Sequence, residues 1–503
     1  MAVCGAAGGI ALMTLMATVP LSPFHPLLPP GEQAVAPLRW LASAINLDLL
    51  SRDALAGLSI FVIAGAVIGF MFALREAWRG GISMRTAIWM AVAFNLLMLA
   101  LPLLFSRDDY SYSMYGRIAS IHHGNPYVDL PLNYPTDQMF ALTGPAWKDT
   151  PAVYGPLFTL YSTLLTKAIA STRGLIFAFK LSAVGASIAT LFVAKRVVEK
   201  VRPSRAVFAV VLFGWNPVVL FHSVASGHND LYVALAIAGA LALLHARHDL
   251  AATAALTLGV LVKASAALPL IVLLIVVVAR SQPGSKLREF MKHAGVAAGL
   301  SLLFAAPFLQ SKDPTLGMAN LSTHTGWLAP SKLFGRTLQR WLEPRFGEAL
   351  GRAVAAGVRL AFAVVMIVAL GFIIRATVRR AGHLSPAAQA AVWGWALLLL
   401  TLCGPVLLPW YIVWTLPIAW TLPRVPRLAL VWLSGLLAIS EVVAEPANSP
   451  RIYEGMLIGV HYVITIGVFA ILVWLIIDLR RRIRDGIALE SVPPGEDVAA
   501  EAG

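Results

Sequence analysis

Runs of apolar residues, each close to the length of a membrane-crossing helix, recur along almost the whole of this 503-residue chain. A helix needs roughly 20 apolar residues to cross the hydrocarbon, where only helices and closed barrels satisfy their backbone polar groups. The runs lie near 5–22, 53–75, 86–105, 174–194, 206–222, 230–246, 250–263, 265–279, 293–308, 355–375, 386–403, 409–421, 427–443 and 455–477. Composition agrees: 13% of residues are charged, against about 25% in soluble domains. The expectation is an all-α polytopic membrane protein of about 14 (12–14) transmembrane helices. Residues 154–170 are also apolar, but counting them as a span would break the charge alternation described next. They are read instead as a juxtamembrane helix opened by Gly155-Pro156.

The net charge of +14 does not point to nucleic acid, because the basic residues sit in short clusters between apolar runs. These are Arg75/Arg79/Arg85, Lys195 to Arg205, Arg280 to Lys292, Arg375 to Arg380, Arg424/Arg427 and Arg480 to Arg484. Such loops face the cytoplasm and lie against anionic lipid. With the spans above, all six clusters and both termini fall on that side. Two long loops, 106–173 and 309–354, then fall outside with the short loops 226–230, 404–410 and 441–455. The chain divides into an N-terminal hairpin region (1–85), a membrane module carrying the first outer loop (86–310), the second outer loop (311–354), C-terminal helices (355–485) and a tail (486–503) whose end, from Ser491, reads as disordered. The first run lacks the basic leader of a signal peptide and reads as a retained span. Cys4 and Cys403 lie in apolar segments and read as buried hydrophobes, with no disulfide and no metal motif.

Chemistry collects on the outer side. The run Ile88 to Phe105 surfaces directly into Ser106-Arg107-Asp108-Asp109-Tyr110-Ser111-Tyr112. A partly desolvated carboxylate at such a boundary has its basicity raised toward working pH, which suits Asp108 and Asp109 to general-base catalysis. Against this, the pair could cap a helix or neutralise Arg107 and Arg117. His228-Asn229-Asp230 opens an apolar run. Asp230 alone reads as a helix cap, while His228 and Asn229 beside a helix N-terminus suit phosphate or sugar hydroxyls. Lys263 interrupts another run and either snorkels or meets an anion. The second loop places His324, Lys332, Arg336 and Arg340 beside Trp327 and Trp341, where they hold an anion or anchor on headgroups. Trp147, Tyr154, Trp410, Tyr411 and Trp414 form an interfacial belt, some of them able to stack on a sugar ring.

Asp108-Asp109-Tyr110-Ser111-Tyr112, Gly116-Arg117, Gly124-Asn125-Pro126-Tyr127 and Tyr154-Gly155-Pro156 together resemble the first outer loop of bacterial GT-C glycosyltransferases. The likeness is greatest to the polyprenol-phosphomannose-dependent α-1,6-mannosyltransferases. Gly227 to Asp230, Lys263 and Pro409-Trp410-Tyr411 with Trp414 follow in the family's order, so the resemblance covers roughly residues 85–425. It implies a transferase on the outer side of the bacterial cytoplasmic membrane, using a polyprenyl-phosphate sugar, most simply mannose, and a glycan or glycolipid acceptor. It assigns the essential base to Asp108. Asp109 stands where the family carries an apolar residue, so a shared role or proton stays open. The donor phosphate would meet His324, Lys263 and Arg336. Tyr110, Tyr112, Arg117, Tyr127, Tyr154, His228, Asn229, Asp230, Trp410 and Tyr411 would line the substrates. The donor brings its own leaving group, so no cofactor and no metal is expected. A flippase of lipid-linked sugars would instead need charged or broken helices at mid-membrane, and of these only Lys180 and Lys263 are evident. A scaffold would not need acidic and aromatic residues gathered in one loop.

Overall fold

The computed structural model describes residues 1–309, 316–318, 326, 328–445 and 449–491, with residue 461 described by its backbone alone. Among these residues there is no strand. The helices, in order, are α1 (Ala2–Thr18), α2 (Ala36–Ala44), α3 (Arg52–Trp78), α4 (Met84–Met98), α5 (Asp108–Ser120), α6 (Pro156–Ala168), α7 (Thr172–Val201), α8 (Ala206–Gly214) and α9 (Asp230–His245). They continue with α10 (Asp249–Val260), α11 (Ala267–Arg280), α12 (Lys286–Ala305), α13 (Pro330–Phe346), α14 (Glu348–Arg380), α15 (Pro386–Cys403), α16 (Arg424–Ile439), α17 (Pro450–Gly459) and α18 (Thr465–Arg484).

This is a multi-pass helical membrane protein, with fewer full-length spans than the sequence suggests. Among the described residues six helices are long and apolar enough to cross a bilayer, or seven if α8 and the π-helical turn Val218–Val224, bent by 43°, form one span. The other apolar helices, α1, α4, α9, α10 and the stretch Ala264–Arg280, are shorter. Leu360, Val364, Ile367, Val368 and Phe372 stand exposed along α14. That would be costly in water and is ordinary for a face turned to lipid.

Two of the apolar runs depart from a straight α-helix for identifiable reasons. The run at 86–105 leaves helical geometry after Met98, ahead of Pro102, which cannot donate to a helix and disfavours helix in the residue before it. The carbonyls freed there are met by the buried Lys180 of α7, whose Nζ donates to Leu101 O at 2.5 Å and Pro102 O at 3.3 Å. The run at 409–421 is two buried 3₁₀ segments, Pro409–Trp414 and Leu416–Thr421. A 3₁₀ helix rises about 2.0 Å per residue rather than 1.5 Å, so this short run reaches as far as a longer α-helix. Its two ends show it. Trp410 lies against His228, while the Thr421 carbonyl accepts from the Ser491 amide.

Ser491 also accepts a hydrogen bond from Arg202, and around it the basic clusters gather. Arg205 and Arg427 both lie over the Trp78 ring. Arg280 donates to the carbonyls of Ala381 and Leu384, and Arg380 to that of Gly486. The opposite end collects the start of α5, the turn before α9, the α10–α11 junction and the segments 404–414 and 441–445. The molecule therefore has an arginine end and a carboxylate-aromatic end.

Candidate active site

Asp108 and Asp109 open α5, but neither caps it. The N-cap position is Arg107 and makes no side-chain cap bond. The two arginines that might have neutralised the pair are engaged elsewhere. Arg107 Nε lies 2.6 Å from Glu445 Oε1, and Arg117 Nε donates to both oxygens of Asp137 at 3.0 and 2.9 Å. Asp108 therefore faces the turn before α9, where its Oδ2 is 3.4 Å from His228 Nδ1. Its side chain keeps 16% exposure, whereas His228 has none. Burial pushes the Asp108 carboxyl up to about 6, with Lys263 drawing it down and the charges of Asp230 and Glu441 adding to the rise. A base of that strength is well matched to neutral pH.

The turn that receives Asp108 depends on Gly227. Its φ is +64°, a left-handed conformation costly for any side chain. A Cβ there would stand 2.3 Å from Asp109 Oδ2, so Asp109 packs against bare backbone. Asp109 is sealed, and neither of its carboxylate oxygens finds a hydrogen-bond partner among the described residues. Burial holds its carboxyl well above the usual range, opposed by Lys180 and reinforced by Asp108.

Lys263 is fixed from two directions. Its Nζ donates to both oxygens of Asp230 at 2.9 Å, and Trp414 Nε1 donates to Oδ1 of the same carboxylate at 2.7 Å. The ammonium also lies 4.6 Å from the Tyr411 ring centre, a cation–π contact. Behind it, the Tyr154-Gly155-Pro156 motif attaches the start of α6 to the end of α10. The amides of Gly155 and Leu157 donate to Val262 O and Leu261 O at 2.9 and 3.0 Å. The N–H groups of one helix thereby satisfy carbonyls at the end of another. A cavity of about 300 Å³ opens beside Lys263, lined in part by Ser265, Val406, Tyr411 and Trp414.

Aromatic rings fill the space around Asp108 and His228. His228 stacks on Trp410 with ring centres 3.7 Å apart, and Tyr411 stacks on Trp414 at 4.6 Å. The Tyr112 hydroxyl is 3.4 Å from His228 Nδ1, and its ring meets Tyr154 and Phe158 edge-on. Several buried polar atoms here have no partner among the described residues: His228 Nε2, both amide atoms of Asn229, and Trp410 Nε1. Burying such atoms unpaired is costly. Their concentration beside one partly exposed carboxylate marks a place built for a hydrogen-bonding ligand.

Other residues expected at the site stand apart from this cluster. Arg117 and His122 both hold Asp137. The Tyr127 hydroxyl bonds Tyr154 O and Thr159 Oγ1, each at 2.8 Å, and so braces the α6 start. Tyr110 is buried with its hydroxyl unpartnered among the described residues. Arg336 is exposed on α13 and is not among the charges acting on Asp108 or Asp230. His324 lies outside the described residues, as do Trp327 and the tail from residue 492. Asp230, read as a cap, is instead the partner of Lys263.

Two residues escaped the sequence reading. His222 is fully buried in the π-helical turn, stacks on Phe105 with ring centres 4.4 Å apart, and lies 3.5 Å from Glu441 Oε2. Both His222 ring nitrogens and that Glu441 oxygen lack a hydrogen-bond partner among the described residues. His222 sits inside an apolar run, six residues before His228, and that position was the one available signal.

Residues 3–280 match the model of the alpha-(1->6)-mannopyranosyltransferase family, N-terminal domain. The chain is also 27% identical over 442 residues to alpha-(1->6)-mannopyranosyltransferase A of Mycobacterium tuberculosis, which covers 83% of this chain and 80% of that protein. No solved structure matches. Asp108, the 227–230 turn and Lys263 fall inside the family-matched segment, while Trp410, Tyr411 and Glu441 fall beyond it.

Proposed function

The chain belongs to the alpha-(1->6)-mannopyranosyltransferase family of membrane glycosyltransferases, and on that premise we propose that it moves mannose from a polyprenyl-phosphate-linked donor to a hydroxyl of a glycan or glycolipid acceptor. In this reading the carboxylate-aromatic end faces outward from the cytoplasmic membrane and the arginine end faces the cytoplasm, following the positive-inside rule.

Asp108 takes the acceptor proton as the acceptor oxygen attacks the anomeric carbon. The bond to the donor phosphate breaks on the opposite face of the sugar, inverting that carbon. Lys263 stabilises the departing phosphate, and the donor brings this leaving group with it, so the reaction draws on no cofactor. His228, Asn229 and Trp410 offer the polar atoms that sugar hydroxyls would pair. The aromatic rings of Tyr411 and Trp414 offer faces for a sugar's C–H surface. The lipid tail has a matching groove, an almost wholly apolar cavity of about 420 Å³ between α6, α9 and α10 that includes Phe158, Tyr161 and Tyr232. Phe158 also touches Tyr112, which links groove and site.

The observation that carries this reading is the asymmetry of the doublet. Asp108 is partly exposed at the rim of the unpartnered polar cluster, while Asp109 is closed off behind Gly227. The test is Asp108→Asn in purified protein given polyprenyl-phosphate mannose and an acceptor glycan. Transfer should fall by about 10²–10⁴ with the thermal unfolding profile unchanged. Wild-type turnover in that variant would refute the assignment.

A further inference from the structure

A second group of polar side chains reaches Asp108, and the transfer chemistry given above leaves it unused. His222 belongs to the π-helical turn Val218–Val224, a widened turn of the kind that gathers at functional sites. Its ring is fully buried and stacked on Phe105. Its Nδ1 stands 3.5 Å from Glu441 Oε2, beyond the usual hydrogen-bond range of about 2.7–3.2 Å. Among the described residues no hydrogen-bond partner meets either ring nitrogen or that oxygen. Three buried polar atoms left unpaired in one place are costly.

Stretches distant in sequence are tied together around the pair. Phe105, whose ring carries His222, has φ +57°, a strained conformation for a residue with a side chain. Its amide donates to Phe24 O at 2.8 Å, and the two rings lie 4.9 Å apart. The Ala444 amide donates to Pro23 O at 2.8 Å. Glu445 Oε1 accepts from the Leu27 amide at 3.3 Å and from Arg107 Nε at 2.6 Å. Residues 23–27, 105–107, 222 and 441–445 therefore form one wall beside the start of α5. Glu441 and Asp108 both keep part of their side chains exposed there.

The chemistry of the pair selects its ligand. A carboxylate accepts hydrogen bonds and a neutral imidazole both donates and accepts, which complements hydroxyls that do both. An anion would be repelled by Glu441, and an apolar group would leave the buried atoms unpaired. Among the described residues no three His, Cys, Asp or Glu side chains converge as metal ligands. Lys263, the cation assigned to the departing phosphate, has its own neighbours in Asp230, Tyr411 and Trp414. Inversion puts the attacking oxygen and the leaving phosphate on opposite faces of the donor sugar. The acceptor therefore needs polar contacts of its own within reach of Asp108. Glu441 is within that reach, since its charge adds to the rise of the Asp108 carboxyl.

We infer that His222 and Glu441 hold ring hydroxyls of the acceptor's terminal sugar and thereby set its attacking oxygen at Asp108. The inference rests on the transfer reading and supplies that reaction with an acceptor subsite. Two variants probe it. His222→Phe keeps a flat ring against Phe105 and removes both nitrogens. Exchanging unpartnered buried polar atoms for apolar ones of similar shape is close to neutral for stability. Glu441→Gln keeps the shape of the side chain and removes its charge.

The test measures mannosyl transfer by the detergent-purified full chain, with mannobiose as acceptor and polyprenyl-phosphate mannose as donor, each varied against saturating amounts of the other. The pH is held well above 6, where Asp108 stays ionised. Each variant should raise the KM for mannobiose on the order of 10-fold or more, with the KM for donor and the melting temperature unchanged. Wild-type KM for mannobiose in both variants would overturn the subsite and leave the transfer reading standing. So would an equal rise in both KM values, or a lowered melting temperature with both KM values unchanged, which would make the pair structural only. Calorimetric titration of mannobiose without donor separates the two readings. Binding that weakens in both variants, in a chain that transfers no mannose, would keep the sugar subsite and sink the reaction; binding that does not weaken would overturn the subsite.

Discussion

Replacing Lys263 by methionine separates its structural role from its chemical one. The Lys263–Asp230 contact is bidentate at 2.9 Å on both oxygens, with side-chain exposures of 9% and 0%. Removing the ammonium leaves a buried carboxylate with one strong donor, Trp414 at 2.7 Å. Breaking a buried pair by deleting one member costs about 3–5 kcal/mol, because the survivor stays desolvated and uncompensated. Asp230→Asn alone should cost a comparable amount by stranding the lysine. Lys263→Met with Asp230→Asn removes both charges and should lose less than the sum, with a coupling energy toward the upper end of the roughly 0.5–3 kcal/mol seen for contacting residues. The assay is a double-mutant cycle on denaturant unfolding in detergent, run beside mannosyl transfer on the same preparations. Stability should return in the double variant while transfer stays lost, since the cation proposed for the leaving phosphate is gone. Additive losses, with coupling under about 0.5 kcal/mol, would refute the pair as a buried unit. Recovered transfer in the double variant would refute Lys263 as the phosphate's partner.

The acid limb of the pH–rate profile should fall near pH 6, because Asp108 must be ionised to accept a proton and burial pushes it up to about 6. Glu441 adds to that rise, so Glu441→Gln should lower the Asp108 pKa and move the limb to lower pH; an unmoved limb would place Glu441 outside the site. Gly227→Ala forces a side chain into φ +64° and onto Asp109, which should cost at least about 1–3 kcal/mol and be read as a lowered melting temperature. Arg117→Met should lower stability while leaving the KM for donor unchanged. Burial pushes Asp137's carboxyl up, but the Met139 amide, His122 and Arg117 outweigh it and hold it below the ordinary range. That contribution to stability is present at neutral pH and lost as pH falls through the lowered pKa. The variant should therefore lose its deficit relative to wild type on acidification, and a raised KM would restore Arg117 to the substrate site.

What was legible in the sequence was set by local pattern. Each apolar run became helical over at least part of its length, because a run that must bury its backbone in lipid has few alternatives. The Asp108 doublet and the 227–230 turn stood out because polar residues there interrupt apolar ones. Partners far apart in sequence were not legible. Lys263 could be seen to need an anion, but only packing shows that Asp230, thirty-three residues away, supplies one. Arg117 looked like a ligand-binding arginine until Asp137 was found against it. The 3₁₀ geometry of 409–421 was hidden because hydropathy does not distinguish a 13-residue run rising about 1.5 Å per residue from one rising about 2.0 Å. His222 and Glu441 were missed for a related reason. Each is a lone polar residue beside or within an apolar run, and only the fold brings the two within 3.5 Å.

The Asp108-Asp109 doublet itself follows from helix geometry. Successive residues of an α-helix point about 100° apart, so the two carboxylates cannot face one pocket equally. Here the turn from Gly227 to His228 meets both, one residue for each. Gly227, lacking a side chain, lets Asp109 close down on its backbone, while His228 stands 3.4 Å from Asp108. The apolar residue expected at position 109 would fill the same space at lower desolvation cost. Asp109 is therefore closed off, and Asp108 is the carboxylate of the pair that stays partly exposed. Asp109→Leu is the discriminating variant. It removes a carboxyl that burial and the Asp108 charge hold well above the usual range and that is not among the groups shifting Asp108, so it should leave the acid limb in place while retaining transfer. A loss as deep as that of Asp108→Asn would instead show that the two carboxylates share the proton.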